Sequence, residues 1–296
     1  MLFIVGVLIV IVSVFGGYVA LGGHLYVLWQ PFELVIIGGA AIGAFIIGNP
    51  KSVLAGTGKE LGKLLKGSKY GKEAYLELLT LLYAIFKLAK SKGLLALEAH
   101  VEDPHDSDLF KQFPILQKDH HALEFLCDYL RMMILGSENP FEMEVLMDEE
   151  IETRHSEEMQ VATAIQTMAD ATPALGIVAA VLGIIHTMGA ITEPPEVLGK
   201  LIGGALVGTF LGVLLSYGFF GPIASFLKQT YDAEIKYFQC IKVALLAHMQ
   251  GNAPAVSVEF ARKALLGEVR PNFYEVEEAV ENAPKIGVAA RQPPGG

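Results

Sequence analysis

Catalytic motifs are missing from this chain. It has no GxxxxGK[ST] phosphate loop, no GxSxG nucleophile turn and no HExxH metal helix. Phosphoryl transfer, acyl transfer and metal-assisted hydrolysis therefore lack their usual carriers, and neither an enzyme nor a cofactor is expected. Cysteine is scarce: Cys127 and Cys240 stand far apart, without CxxC or His-rich spacing. That excludes a disulfide scaffold and a zinc site and leaves two reduced, buried thiols. His120 and His121 sit in a polar turn before a helix and lack a second ligand pair at suitable spacing, so no metal is expected there. The net charge is −10, which excludes nucleic acid as a natural partner. Alternating strand patterns are nearly absent.

Charge itself is scarce, at 18% of residues, and it is unevenly spread. Apolar residues make up 52% and the mean hydropathy is +0.45. The apolar residues gather in blocks with almost no charge. A helix needs roughly 20 such residues to cross a ~30 Å hydrocarbon core. Four segments qualify: residues 1–20, 33–50, 173–191 and 200–222. The second is short and thins the bilayer or borrows flanking residues. The first has no Lys or Arg ahead of it, so it is expected to be a retained span rather than a cleaved leader.

Basic residues orient these spans. The links from Leu21 to Phe32 and from Thr192 to Gly199 contain no Lys or Arg. Lys51, Lys59, Lys63, Lys66, Lys69 and Lys72 follow the second span, and Lys228, Lys236 and Lys242 follow the fourth. The positive-inside rule places both termini and the long central segment in the cytoplasm. Residues 51–172 form a cytoplasmic domain that reads helical: Tyr75, Leu78, Leu79, Leu82, Ile85 and Phe86 recur at helical spacing. Residues 223–282 form a helical C-terminal part. The tail, 283–296, is rich in proline and ends in two glycines, so it is expected to be disordered. The fold class is an all-α membrane protein, with four transmembrane helices and a large helical cytoplasmic domain.

Small residues mark the spans. Gly38, Gly39 and Gly43 lie on the second; Gly204, Gly208 and Gly212 recur every four residues on the fourth, beside Gly199 and Gly203. Such seams let helices pack closely in lipid, within one chain or between subunits. Polar groups in the spans are few: Ser13, Tyr18, His186, Thr187, Thr209, Ser216 and Tyr217. No Asp or Glu lies deep in any span. A proton path normally needs a titratable carboxylate, so a partner is expected to bring it.

Pro173 and Pro222 fall at the cytoplasmic edge of the third and fourth spans. Pro173 is either a first-turn proline capped by Thr172 or a break inside one long helix. With a parallel break at Pro222, the second case makes a joint. His186 and Thr209 each lie thirteen residues outward of these prolines, about 20 Å along a helix. A shared polar layer is one reading; a buried His186 bonded to a neighbouring helix is the other.

Several stretches carry a family likeness: Gly16 to Tyr18 (GGY), Gln30 to Ile37 (QPFELVII), Met147 to Thr153 (MDEEIET), Pro173 to Ala180 (PALGIVAA), Val207 to Gly212 (VGTFLG), Val258 to Lys263 (VEFARK) and Arg270 with Pro271. Over almost its whole length the chain resembles the MotA family of flagellar motor stator subunits, in the MotA/TolQ/ExbB superfamily. The resemblance implies a homopentamer around a dimer of the single-span partner MotB, whose membrane aspartate binds the ion. It implies torque on the rotor protein FliG, in the bacterial inner membrane. It assigns Thr209 and Ala180 to the ion pathway, Pro173 and Pro222 to the coupling hinge, and Lys90 and Glu98 to the rotor interface. Lys90 stands where many relatives have arginine, which keeps the sign but not the bidentate geometry. Sodium-driven relatives place threonine at the position of Ala180. A methyl group cannot replace the water shell of Na⁺, so protons are the expected ion. The competing readings are an ExbB/TolQ-type energiser, a structural scaffold and a solute transporter.

Overall fold

The computed structural model describes residues 2–283; the tail beyond Ala283 lies outside the described residues. Helices make up the fold, and no strand occurs among the described residues. Four helices are long and apolar enough to cross a membrane. The first, α1, runs Leu2–Ala20 through a π turn at Val12–Gly16. The second, α2, runs Pro31–Gly48, with Pro31 at its first turn and Glu33 complementing the dipole. A shorter helix, α3, follows at Lys51–Leu61.

Helix α4, Lys72–Lys92, carries Glu73 in its first turn and Lys90 and Lys92 in its last. It stops at Gly93, whose φ of 83° is open to glycine at little cost. Helix α5, His120–Ile134, is capped by the Asp119 carboxylate, which accepts from the Ala122 N–H. His120 and His121 are therefore the opening residues of a helix, not a preceding turn. Helix α6, Pro140–Gly189, is 50 residues long and contains Pro173. Helix α7, Pro195–Leu215, passes through a π turn, Ser216–Phe220, into α8, Gly221–Met249. Two short helices close the described chain: α9, Pro254–Lys263, and α10, Phe273–Glu281, which opens on an Asn272–Glu275 capping box.

Two compact units divide the chain. One comprises the chain up to Gly67 and Ser156–Tyr231; the other comprises Ser68–His155 and the chain from Asp232 onward. These units are defined by packing; the boundaries expected at 51 and 172 are those between membrane and cytoplasmic segments. In the first unit, Ile37 of α2 packs with Ala179, Val207 and Leu211. A second cluster joins Val53, Val161, Ile165, Leu227 and Tyr231. In the second unit, α4, α5, α8 and α9 share one core around Leu78, Leu82, Phe86, Leu126 and Ile241. Cys127 and Cys240 are both buried and unpaired there.

Candidate functional site

In the first unit α6 and α7 meet along a seam of small residues. A methyl group on Gly212 would stand 2.7 Å from Gly176 Cα and 3.0 Å from the Thr172 carbonyl oxygen. One on Gly183 would stand 2.7 Å from Ala205 Cβ. The two backbones thus touch with no side chain between them. One on Gly208 would stand 3.1 Å from the Ala180 amide nitrogen. Thr209 is the next residue, so Ala180 and Thr209 share one level of the seam. Ala180 is buried and Thr209 half-buried.

The prolines lie toward the other end. Pro173 is inside α6 and half-buried; Pro222 is the second residue of α8 and exposed. Thr172 does not cap a helix start, because α6 runs through it. Its hydroxyl instead donates back to the Met168 carbonyl at 2.6 Å. The Ser216 hydroxyl, on the facing segment, donates to the Ala169 carbonyl at 2.6 Å. His186 is exposed on α6, not buried against a neighbouring helix.

Gly208 and Gly212 use their small size against α6 of the same chain. Gly204 faces the Gln30 side-chain amide. Gly38, Gly39, Gly43, Gly199 and Gly203 meet nothing within 4 Å.

Lys90 and Glu98 belong to the second unit, on either side of the Gly93 turn. Lys90 is exposed in the last turn of α4. Glu98 is half-buried and opens the short helix Glu98–Glu102. Lys90 borders a cavity of about 460 Å³ with Ser137, Glu138, His248 and Asn252. The His248 ring stacks on Phe86, with centroids 4.4 Å apart. Burial first, and then the Lys90 charge, hold this imidazole below the usual histidine range.

Comparison with known proteins places this arrangement. The family description "Motility protein A N-terminal" matches residues 4–93, and "MotA/TolQ/ExbB proton channel family" matches residues 117–240. Motility protein A of Salmonella typhimurium is 48% identical over 280 residues, 95% of each chain. The chain belongs to the motility protein A family.

Solved structures agree in fold. The flagellar MotAB stator complex of Bacillus subtilis has a chain with a TM-score of 0.64 at 26% identity, covering 86% of this chain and 92% of that one. The MotAB of C. jejuni has a chain with a TM-score of 0.74 at 22% identity, covering 90% and 96%. Within this motility protein A fold, Gly208, the neighbour of Thr209, approaches Ala180 across the seam, and Pro173 lies two turns away from Ala180 along α6. Sequence reasoning passed over His248 and the bond from Ser216 to Ala169. Ser216 stood out only as a polar residue in a span, and its partner lies 47 residues away.

Proposed function

We propose that this chain is a flagellar motor stator subunit that conducts protons with MotB and turns their passage into torque on FliG. One observation carries the reading. The α6–α7 seam presents Ala180 and Thr209 at one level, yet no Asp or Glu occurs from residue 171 to 192 or from 197 to 231. The chain is a channel wall without its acid, and a partner's carboxylate completes the path. Ile177, Val181, Ile185, Ile202 and Leu206 are exposed on the single chain. Lipid, the MotB helices and four further copies in a pentamer cover such faces. Four spans cross the inner membrane, with both termini and the second unit in the cytoplasm, the side to which the basic residues point. Pro173 and Pro222 form the coupling hinge, and Lys90 and Glu98 meet the rotor.

Ala180 brings no hydroxyl to strip water from Na⁺, whereas protons need only a carboxylate and water. Produced with a MotB-type partner in a strain lacking its own stators, the chain is expected to restore swimming. Swimming should stop with a protonophore and persist without sodium at fixed proton-motive force. Failure to restore swimming, or arrest on sodium removal, would overturn this function.

The rotor contact has its own test. Exposed charges mainly steer and orient partners. Lys90→Glu should slow swimming severalfold, in keeping with about 1 kcal/mol for an exposed pair. Membrane level and proton leak should not change. A full swimming rate in Lys90→Glu would remove Lys90 from the rotor interface.

A further inference from the structure

Pro173 has no amide hydrogen, so the Ala169 carbonyl four residues back has lost its helical donor. Ala169 is 1% exposed, which leaves no water to replace it. The replacement comes from the facing helix: the Ser216 hydroxyl donates to this carbonyl at 2.6 Å, and Ser216 is 2% exposed. The Thr172 hydroxyl is engaged with Met168 and does not compete. Gly212, one turn before Ser216, brings the two backbones close enough for so short a side chain to reach.

Ser216 has a second engagement. Its carbonyl accepts from the N–H of Gly221, five residues on, closing the π turn that leads directly into Pro222. Such turns place a local change of pitch inside an otherwise regular helix. The hydroxyl of one residue therefore satisfies the break at Pro173, while its carbonyl holds the turn before Pro222.

We propose that Ser216 is a positioning residue for ion-driven movement, tying the breaks at Pro173 and Pro222 into one mechanical unit. This rests on the reading above that the two prolines couple ion passage to movement. A hydroxyl suits the task because it can release and re-form one bond by rotation. A main-chain amide in the same place would be fixed into the helix ladder. A shift of α6 at Pro173 is then passed through Ser216 to the π turn, and so to α8.

The test uses the full chain with its MotB-type partner in membranes. Ser216→Ala should cut both swimming rate and proton leak about tenfold at unchanged membrane level, the scale of one lost buried hydrogen bond. Ser216→Thr keeps the hydroxyl and should restore most of both. A merely structural serine would change membrane level instead.

A second measurement addresses the bond itself. Pro173→Ala returns an amide to Ala169. In that background Ser216→Ala should lower the apparent melting temperature by less than half as much as it does beside proline. Equal shifts in the two backgrounds would overturn the link. Unchanged swimming in Ser216→Ala would overturn its part in movement. Unchanged swimming in Pro173→Ala would overturn the hinge reading and the movement role with it, and the melting comparison separates that failure from absence of the bond.

Discussion

Gly212→Val is expected to abolish swimming and to reduce the amount of chain held in the membrane. Even the first carbon of the new side chain would stand 2.7 Å from Gly176 Cα and 3.0 Å from the Thr172 carbonyl. Both are backbone atoms, so no side chain can rotate away. The helices must separate, at a cost of about 2 kcal/mol or more by the usual penalty for overpacking. Separation also removes the 2.6 Å bond from Ser216 to Ala169 and leaves a buried carbonyl beside Pro173 without a donor. Gly203→Ala is the control, because a methyl there meets nothing within 4 Å. It should leave the melting temperature unchanged. Normal accumulation and swimming of Gly212→Val would show that the seam does not hold α6 to α7.

The second large effect is expected in the second unit, from Asp119→Ala. This carboxylate accepts from the Tyr70 hydroxyl at 2.5 Å, pairs with Lys69 at 2.8 Å and caps α5 through the Ala122 N–H. Burial pushes its pKa up, but the Lys69 and Tyr70 hydrogen bonds outweigh burial and hold it below the usual aspartate range. Tyr70 stacks on Tyr237 with centroids 3.9 Å apart, and burial and Asp119 push its own pKa up, so it remains a donor. Alanine at 119 removes the cap and strands a largely buried hydroxyl. The loss should be about 2–4 kcal/mol from these two causes, or about 10 °C in apparent melting temperature. Asp119→Asn retains an acceptor for the cap and should cost less.

Acidity gives the same site a signature. A carboxylate with a depressed folded pKa binds its proton later than the unfolded chain does. Its stabilisation is therefore complete above the ordinary aspartate value, about 3.9, and is lost as pH falls through the lower folded value. The melting temperature of the parent chain should fall toward that of Asp119→Asn as the solution is acidified below pH ~4. A difference that stays constant as the pH is taken well below ~4 would remove the ion pair from the account.

Legibility in the sequence differed from element to element. The membrane helices were plain because about twenty uncharged apolar residues have few other uses in a chain of this size. Their outer limits were less plain. Nothing in local propensity distinguishes a helix that starts at Pro173 from one that passes through it, since proline fits both positions. The answer lies across the seam, where Ser216 supplies the missing donor. Glycine spacing announced a close contact on α7, and the structure divided those glycines between neighbours: Gly208 and Gly212 face α6, Gly204 faces Gln30, and Gly199 and Gly203 are open. A four-residue repeat names a stripe, not the surface it meets.

The rotor-facing and ion-path assignments came from likeness to relatives. An exposed Lys90 and a half-buried Glu98 carry no local signal that separates them from other surface charges. The His248 imidazole, stacked on Phe86 near Lys90, carried none either, because residues 86 and 248 meet only when α4 and α8 pack.

The sequence by itself marked four apolar spans with no Asp or Glu in their deep core, from which a bilayer setting and a partner's carboxylate were the expectation. These follow from composition and from the cost of charge in hydrocarbon, which act on each segment alone. Only the tertiary structure decided which small residues hold α6 to α7, that α6 passes unbroken through Pro173, and that Ser216 repairs the break. Those outcomes depend on hydrogen bonds and backbone contacts between residues far apart in the chain, which exist only once the helices have packed.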